Sequence, residues 1–294
     1  MIKAWLQSYQ PQNRDEAQQA LRQVMQEIAL AGLYRAGFFE KAAFYGGSAL
    51  RIFYGLPRFS EDLDFSLLGA DADFSFDNYA GAILAELESL GIRATLRSKD
   101  KASVSAIESA FLKTDTIWQE LILDEVAIPN QSTEKLSVKI KLEVDKQPPL
   151  GFNTEEKLLL NPFSCYIKCF STPDLFAGKM HALLFRKWKS RVKGRDWFDL
   201  EWYIRQGIPV NCHHLSIRAS QSGDWPVQKD MNKEQLLATL QNKIEQVSFS
   251  QVRKDIMRFI PDSSVSDIWS ASYFADLIRH LKVANERTNG RGME

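Results

Sequence analysis

The chain has 294 residues, of which 45% are hydrophobic and 25% are charged, so it can bury a sizeable core in about two domains and is not a disordered tail. Lysine and arginine together number 37, as do aspartate and glutamate, which excludes a global positive field and confines any nucleic-acid contact to a local patch. The start lacks a signal-peptide pattern, no 18-residue apolar run occurs, and the only cysteines are Cys165, Cys169 and Cys212. These features predict a cytoplasmic protein without membrane contact.

Short strands and helices alternate in the first part of the chain. Residues 14–37 place apolar side chains at helical spacing and predict a long first helix. A short apolar strand and a Gly-Gly turn then lead into a predicted helix from about Ser48 to Tyr54. The segment SEDLDFSLL alternates carboxylate and apolar residues, which predicts a strand, and residues 77–90 predict another helix.

Further strand-like runs precede a change of pattern at Pro173. The runs cover residues 95–111, 118–128 and 135–149, and in the last one apolar and charged residues alternate, so that one face is core and the other polar. Helical patterns follow, and they occupy residues 172–187, 195–206, 233–247 and 264–285. The sequence therefore predicts an α+β protein, with a catalytic domain at residues 1–160 and a mostly helical domain at residues 161–294.

A pair of carboxylates gives the first indication of chemistry. Asp62 and Asp64 are two residues apart on a predicted strand, so both side chains point to one face. Two such charges about 4 Å apart repel by roughly 4 kcal/mol at an effective dielectric of about 20. A cation relieves this repulsion, and hard oxygen ligands suit Mg²⁺ or Mn²⁺, which also bind substrate phosphates.

Glycines and arginines around this pair predict a phosphate site. Gly46 and Gly47 allow close approach of the backbone, and Ser48 is predicted to open a helix whose N–H groups attract phosphate oxygens. Arg51 and Arg58 add possible bidentate contacts. The spacing GxxxxGK[ST] of a Walker P-loop is absent. Together these residues predict binding of a nucleoside triphosphate.

A second basic segment begins at Lys179. Seven basic residues and no acidic residue lie from Lys179 to Arg195, and Asp196 follows directly. In a chain of zero net charge this excess predicts contact with a triphosphate or a nucleic-acid backbone. The alternative is a solvated helix end with cations near its C-terminus. Asp199 is interpreted as a possible cap or dipole partner.

With these two blocks the sequence resembles the AbiEii/AbiGii-type nucleotidyltransferase toxins, a branch of the polymerase-beta-like nucleotidyltransferases. The matching residues of the first block are Gly46, Gly47, Ser48, Ala49, Leu50, Arg51, Arg58, Ser60, Glu61, Asp62, Leu63, Asp64 and Phe65. Those of the second block are Lys179, His181, Ala182, Leu183, Arg186, Arg195, Asp196, Phe198, Asp199 and Leu200. The part after about residue 205 matches nothing in this pattern.

The resemblance implies a minimal nucleotidyltransferase fold, a short mixed sheet flanked by helices, followed by a helical domain. It implies a catalytic site of Ser60, Asp62 and Asp64, to which Lys179 and Asp196 are added by the later block. It also implies a third carboxylate on a neighbouring strand, with Glu143 favoured and Asp145 as the alternative. Members are toxins of toxin–antitoxin or phage-defence systems, so the resemblance implies a cognate antitoxin and an RNA acceptor such as the tRNA 3′ end.

Other interpretations of the same residues stay open at this point. Transfer of a γ-phosphoryl group by a kinase-like reaction would use similar groups, and a non-catalytic domain could bind nucleotide or RNA. His181 is either a phosphate contact or a packed or solvent-facing residue. A zinc site at Cys165 and Cys169 is disfavoured, because no tight second pair of cysteine or histidine accompanies them.

Overall fold

The computed structural model describes residues 2–98, 116–127, 135–186, 192–260 and 262–284. The helices in these residues are α1 (Ile2–Ser8), α2 (Arg14–Arg35), α3 (Gly46–Phe53), α4 (Asp77–Ser89), α5 (Thr172–Phe185), α6 (Gly194–Arg205), α7 (Cys212–Gln221), α8 (Lys233–Gln246), α9 (Phe249–Ile256) and α10 (Ala271–Leu277). The strands are β1 (Ala42–Tyr45), β2 (Leu63–Leu67), β3 (Ala94–Ser98), β4 (Thr116–Ala127), β5 (Lys135–Asp145), β6 (Thr154–Leu159) and β7 (Cys165–Phe170).

The chain divides into two compact units. The first comprises Met1–Gly55, Phe59–Pro148 and Thr154–Cys169, and the second comprises Leu56–Arg58, Pro149–Asn153 and Phe170–Glu294. All but the last residue of β7 thus belongs to the first unit, while three residues of the loop between α3 and β2 belong to the second.

A mixed sheet forms the centre of the first unit. Its strands lie in the order β3-β4-β5-β2-β1-β7-β6. β2 pairs antiparallel with β1 and parallel with β5, and β1 pairs parallel with β7. Together with the flanking helices this confirms the predicted α+β class. Strands β1, β2 and β5 at the centre carry the candidate site.

Helix α2 packs against this sheet and shows why the predicted long helix forms. Asn13 caps its start, because the Asn13 side chain accepts a hydrogen bond from the Glu16 amide at 2.9 Å. Apolar residues such as Val24 and Ile28 are fully buried. At Gly32 a side chain would not fit, since a Cβ there would meet the Ala82 carbonyl of α4 at 2.8 Å. The absence of a side chain therefore permits α2 and α4 to cross closely.

Aromatic rings fill the space around the sheet in the first unit. Phe38 contacts Phe65 of β2 and Tyr79 of α4 in edge-to-face geometry, with ring centroids 5.0 Å apart in each pair. Such pairs stabilise a core by about 0.5–1.5 kcal/mol beyond the burial of their area. This packing buries the face of β2 that carries Phe65. Alternate residues of the strand, such as Asp64, point to the opposite face.

The second unit is helical in its described part. Trp197 of α6 packs against Phe274 of α10 and Phe249 of α9, with centroids 5.0 Å apart in each case. Gly194, the first residue of α6, lies so close to the Val252 carbonyl of α9 that a Cβ would overlap it. Most of the aromatic residues in RDWFDLEWYI are buried and belong to the core of this unit.

Three of the predicted helices of this unit are confirmed, and the last is wrong in extent. Residues 264–285 contain the short helix α10, which follows a 3₁₀ turn at Ser263–Ser266. Ser270 interrupts the predicted helix, because its side chain accepts from the Tyr273 amide at 3.2 Å and caps α10. Helices α7 and α9 were not predicted. No helix of the described residues is long and apolar enough to cross a bilayer.

Candidate active site

The strand register places three side-chain positions in one row across the sheet. Tyr45, the last residue of β1, is directly opposite Asp64 of β2, and Asp64 is paired with Glu143 of β5. Residues paired in this way point to the same face of a sheet. Asp145 is paired with Ser66 instead, two residues further along. Of the two alternatives for a third carboxylate, Glu143 is therefore the neighbour of Asp64.

Gly46 is the residue that allows α3 to begin next to Asp64. Its φ of +82° lies in the left-handed region, which favours glycine. A Cβ at Gly46 would overlap the Asp64 carboxylate oxygen and lie 3.0 Å from its Cγ. The carboxylate thus lies against the Gly46 backbone, at the point where β1 ends and α3 starts.

Side chains, and not strand pairing, hold the segment before β2. Ser48 Oγ donates a hydrogen bond to the Asp62 carbonyl, and Gln26 Nε2 donates to the Ser60 carbonyl and to Ser48 Oγ, at 3.3 Å in both cases. β2 begins at Leu63, so the prediction that Asp62 shares a strand with Asp64 was wrong. Asp62 directly precedes the strand.

The predicted role of Ser48 also needs correction. Helix α3 begins at Gly46, two residues earlier than predicted, and the Ser48 side chain is only 1% exposed. Its hydroxyl braces the Asp62 backbone and does not face solvent, where a phosphate would bind. The start of α3 nevertheless retains the property that motivated the prediction, since its first turn contains no acidic residue and its N-cap Tyr45 makes no side-chain cap.

Oxygen ligands for a hard cation are present in this row. Asp62, Asp64 and Glu143 are all partly exposed, and Lys141 of the same strand forms an ion pair with Glu143 at 2.8 Å. Within the described residues, no group of three or more His, Cys, Asp or Glu side chains is close enough to hold a metal ion. Carboxylates of this kind suit Mg²⁺, which keeps several waters and needs few protein ligands.

Arg51 is held against α2 and a nearby ring. Its Nε donates to Gln23 Oε1 at 3.1 Å, and its guanidinium carbon lies 4.9 Å from the centre of the Phe59 ring. Gln23, Gln26 and Glu27 are polar residues among the buried residues of α2. Polar residues at helical spacing among apolar ones were the available signal for buried polar contacts, and the sequence interpretation missed it.

The second unit contains a buried ion cluster, formed by Arg58, Lys179 and Asp199. Arg58 binds Asp199 through two parallel hydrogen bonds of 2.6 Å, and Lys179 Nζ lies 3.0 Å from Asp199 Oδ2. Burial alone would raise the pKa of Asp199, but the charges of Arg58 and Lys179 outweigh it and hold that pKa below its ordinary value. Asp199 is therefore an ionised carboxylate in a fully buried position.

This cluster changes the predicted roles of its residues. Arg58 is 1% exposed and occupied by Asp199, so the predicted phosphate contact through Arg58 was wrong. Asp199, interpreted as a cap or dipole partner, is the centre of the cluster. Lys179 keeps a side-chain exposure of 18% while it pairs with Asp199. The pairing of Arg58 with a residue 141 positions later had no signal in the local sequence.

The rest of the basic segment is only partly described. Lys187, Lys189 and Arg191 lie outside the described residues. Arg186 and Lys193 line a cavity together with Asp196, which is 8% exposed in the first turn of α6. His181 Nε2 lies 3.0 Å from Ser222 Oγ, a contact with a side chain of α7's C-terminal end. The structure thus brings Asp196 together with Lys193 and Asp199 together with Lys179.

The cysteines do not form a metal site within the described residues. Cys165, Cys169 and Cys212 are buried free thiols, and burial raises the pKa of Cys165 to about 11. The Cys165–Cys169 spacing falls on β7, as expected. These residues belong to the core.

The comparison with protein families decides which class of protein carries this geometry. The family model described as "Nucleotidyl transferase AbiEii toxin, Type IV TA system" matches residues 28–276. The chain belongs to the AbiEii nucleotidyltransferase toxin family. This confirms the resemblance drawn from the two motif blocks, and it identifies the chain as a nucleotidyltransferase of a toxin family, for which a nucleoside triphosphate substrate and an antitoxin are implied.

Two solved structures are similar to this member of the AbiEii family. MenT4, nucleotidyltransferase toxin Rv2826c from Mycobacterium tuberculosis H37Rv, matches with a TM-score of 0.57 and 13% identity, over 97% of this chain and 91% of that chain. JHP933 from Helicobacter pylori matches with a TM-score of 0.48 and 16% identity, over 89% of this chain and 90% of that chain. At 13% identity, the likeness to MenT4 concerns the fold. No curated protein is significantly similar in sequence.

Proposed function

We propose that this toxin transfers a nucleoside monophosphate from a nucleoside triphosphate to a hydroxyl group of an RNA, such as the 3′ end of a tRNA. The observation that carries the proposal is the pairing of Asp64 with Glu143 beside Gly46. It sets two carboxylates on neighbouring strands, one of which, Asp64, lies against the N-terminus of α3. Such an arrangement combines ligands for a cation with backbone N–H groups for phosphate.

We further propose that Asp62 and Asp64 hold Mg²⁺ or Mn²⁺, with Glu143 as the third carboxylate. When bound, this ion would neutralise charge on the phosphoryl group and lower the pKa of the attacking hydroxyl. The chemistry of the donor set suits the ion, because all three groups are carboxylates on or beside adjacent strands, but the three side chains would have to move closer together to hold it. Glu143 would have to leave Lys141 to join it.

The remaining roles follow from the contacts of each side chain. The N–H groups of Gly46 and Gly47 in the first turn of α3 bind phosphate oxygens, while Ser48 and Gln26 keep the Asp62 segment in place. Contributions of Ser60, Lys179 and Asp196 to catalysis remain predictions. In the cell, the proposed activity would act in the cytoplasm, be silenced by an antitoxin, and serve in phage defence.

The test is a transfer assay with purified protein, total RNA and each nucleoside triphosphate labelled at the α-phosphate. We expect label on small RNA only when Mg²⁺ or Mn²⁺ is present. Asp64→Asn should reduce transfer by about three orders of magnitude, because the metal and its charge neutralisation are lost. Its melting temperature should stay level or rise, since one member of a repelling pair becomes neutral. Asp73→Asn is the matched control, because Asp73 is exposed.

The label also distinguishes the competing reactions. Transfer from γ-labelled but not α-labelled nucleotide would replace the proposal by a kinase-like reaction. Label on protein and never on RNA would reject the RNA acceptor. An Asp64→Asn variant that unfolds, while Asp73→Asn does not, would show that Asp64 is structural.

A further inference from the structure

A cavity in the second unit has a chemical character of its own. It has a volume of about 280 Å³ and lies where the ends of α5, α6, α8 and α9 meet. Among the described residues that line it are three cationic side chains, from Arg186, Lys193 and Lys243, and one carboxylate, that of Asp196. The chain as a whole has zero net charge, so this excess is local. Lys243 comes from α8, which lies beyond the two motif blocks.

Two of these cations are not neutralised by neighbouring carboxylates. Arg186 and Lys243 make no ion pair with any residue that the structure describes. Lys193 is partly buried, and burial together with the charge of Arg186 lowers its pKa to about 8. Asp196 acts in the opposite direction, and Arg195 and Lys179 in the same direction as Arg186. An anion in the cavity would relieve this repulsion.

The backbone adds a second positive contribution. α9 begins at the cavity, where Ser248 is its N-cap and both Ser248 and Gln251 line the wall. The first turn of α9 contains no acidic residue, and the Ser248 side chain makes no cap bond but contacts Ser250 Oγ at 2.9 Å. The N–H groups of such a helix start attract anions. Neutral donors for phosphate oxygens thus accompany the cations.

The size of the cavity limits what it can hold. A volume of about 280 Å³ is just below the range of about 300–1,000 Å³ typical of small-molecule pockets. The cavity suits a single phosphate group or one nucleotide. It is too small for a folded partner or a long peptide. Phosphate is the anion that the proposed reaction presents in both of its substrates.

We propose that the cavity lined by Arg186, Lys193, Lys243 and Ser248 binds a phosphate group of a nucleotide or of an RNA backbone. The identity of these two candidate sources rests on the proposed function, whereas the anion site rests on the cavity itself. Lys193 and Arg186 supply charge from one wall, Lys243 supplies it from α8, and Ser248 and the α9 amides supply hydrogen bonds.

The test measures binding and not transfer, so that it is independent of catalysis. The full chain is titrated with a fluorescein-labelled single-stranded RNA without nucleotide and, separately, with Mg²⁺–ATP without RNA, at several salt concentrations. Lys243→Ala should weaken binding of the ligand that occupies the cavity about five- to tenfold at low salt. If that ligand is RNA, the slope of log affinity against log salt should become shallower by about 0.7, the change expected for one lost phosphate contact. Lys243→Arg should retain both the affinity and the salt slope of the unsubstituted chain.

The matched control is Lys233→Ala, an exposed lysine at the other end of the same helix. A change with RNA alone assigns the site to the acceptor, and a change with Mg²⁺–ATP alone assigns it to the donor. Affinities and salt slopes equal to those of Lys233→Ala for both ligands would overturn the proposal. Lys193→Ala is the second variant, and Lys243→Ala remains decisive if Lys193→Ala does not fold. If the unmodified chain transfers no label to RNA but shows binding that depends on Lys243, the proposed reaction is rejected and the anion site is still supported.

Discussion

The carboxylates of the sheet and the carboxylate of the helical unit are in opposite situations. Asp64 and Glu143, which we call the acidic row, lie side by side and partly exposed on neighbouring strands. Asp199 is fully buried and bonded to two cations. The acidic row is therefore exposed enough to meet a ligand, whereas the carboxylate of the ion cluster is fully engaged by its two cations. The comparison teaches that motif residues of one family can serve either substrate chemistry or the fold.

The largest effect on stability should come from breaking the ion cluster. Asp199→Ala leaves Arg58 buried without its partner, which should reduce the free energy of unfolding by about 3–5 kcal/mol. Because the folded-state pKa of Asp199 lies below its unfolded value, this contribution is fully present above about pH 4 and is lost only as the pH falls through the folded pKa. Urea unfolding at pH 7 and in acid measures both effects.

The control for this variant is Asp276→Ala. Asp276 pairs with Arg279 at 3.5 Å, but both side chains are more than 70% exposed, and such pairs contribute about 0–1 kcal/mol. If Asp199→Ala lost no more stability than Asp276→Ala, the ion cluster would not be a structural element, and the comparison with the acidic row would fail.

Gly46→Ala should show the opposite balance, a large loss of activity with a smaller loss of stability. The positive φ makes alanine unfavourable by about 1–2 kcal/mol. Its Cβ would displace the Asp64 carboxylate, and misplacement of this kind costs about 100-fold in rate. The transfer assay and thermal unfolding are compared with Gly81→Ala, where a Cβ would meet nothing within 4 Å. Equal activity of the two variants would contradict the assignment of Gly46.

The smallest of these effects concerns the cavity of the second unit. Lys193 has a pKa of about 8, so it is mostly protonated at pH 7 and mostly neutral at pH 9. We expect the affinity for the ligand that the Lys243→Ala test assigns to the cavity to fall severalfold over this interval at constant ionic strength, because the charge of Lys193 is lost. Lys193→Arg should flatten the profile, because arginine stays charged. An unchanged profile in Lys193→Arg would assign the pH dependence to another group.

The parts of this molecule that the sequence predicted are those encoded by local patterns. Alternation in KLSVKIKLEVD gives β5 with Glu143 on its polar face, and glycine at position 46 signals a turn with close backbone approach. The contact that holds the segment before β2 was not predicted, because it comes from Gln26, 34 residues earlier than Ser60. The pairing of Arg58 with Asp199 was missed for the same reason, because the two residues are 141 positions apart. Contacts between distant segments leave no periodic signal in one sequence.

Two short helices were the other omission. α7 has ten residues and is capped by Asn211, whose side chain accepts from the His214 amide at 3.1 Å, and α9 has eight residues. Helices of this length gain most of their stability from tertiary packing. Ser248, the N-cap of α9 and one of the cavity residues, was therefore not recognised from the sequence. Lys243 belongs to the predicted helix α8, but nothing in the local sequence relates it to Arg186 and Lys193.

The ion pair between Lys141 and Glu143 gives the acidic row a resident competitor. A divalent ion that recruits Glu143 has to displace an ammonium group held at 2.8 Å, and a partly exposed pair of this kind is worth about 0–1 kcal/mol. The apparent metal affinity is then reduced by up to about fivefold, so Lys141→Gln should tighten Mn²⁺ binding by that factor in a calorimetric titration, and unaltered binding would refute the competition. If the toxin binds its metal as proposed, such a competitor raises the dissociation constant and so moves the free divalent-ion concentration at which metal occupancy changes most steeply.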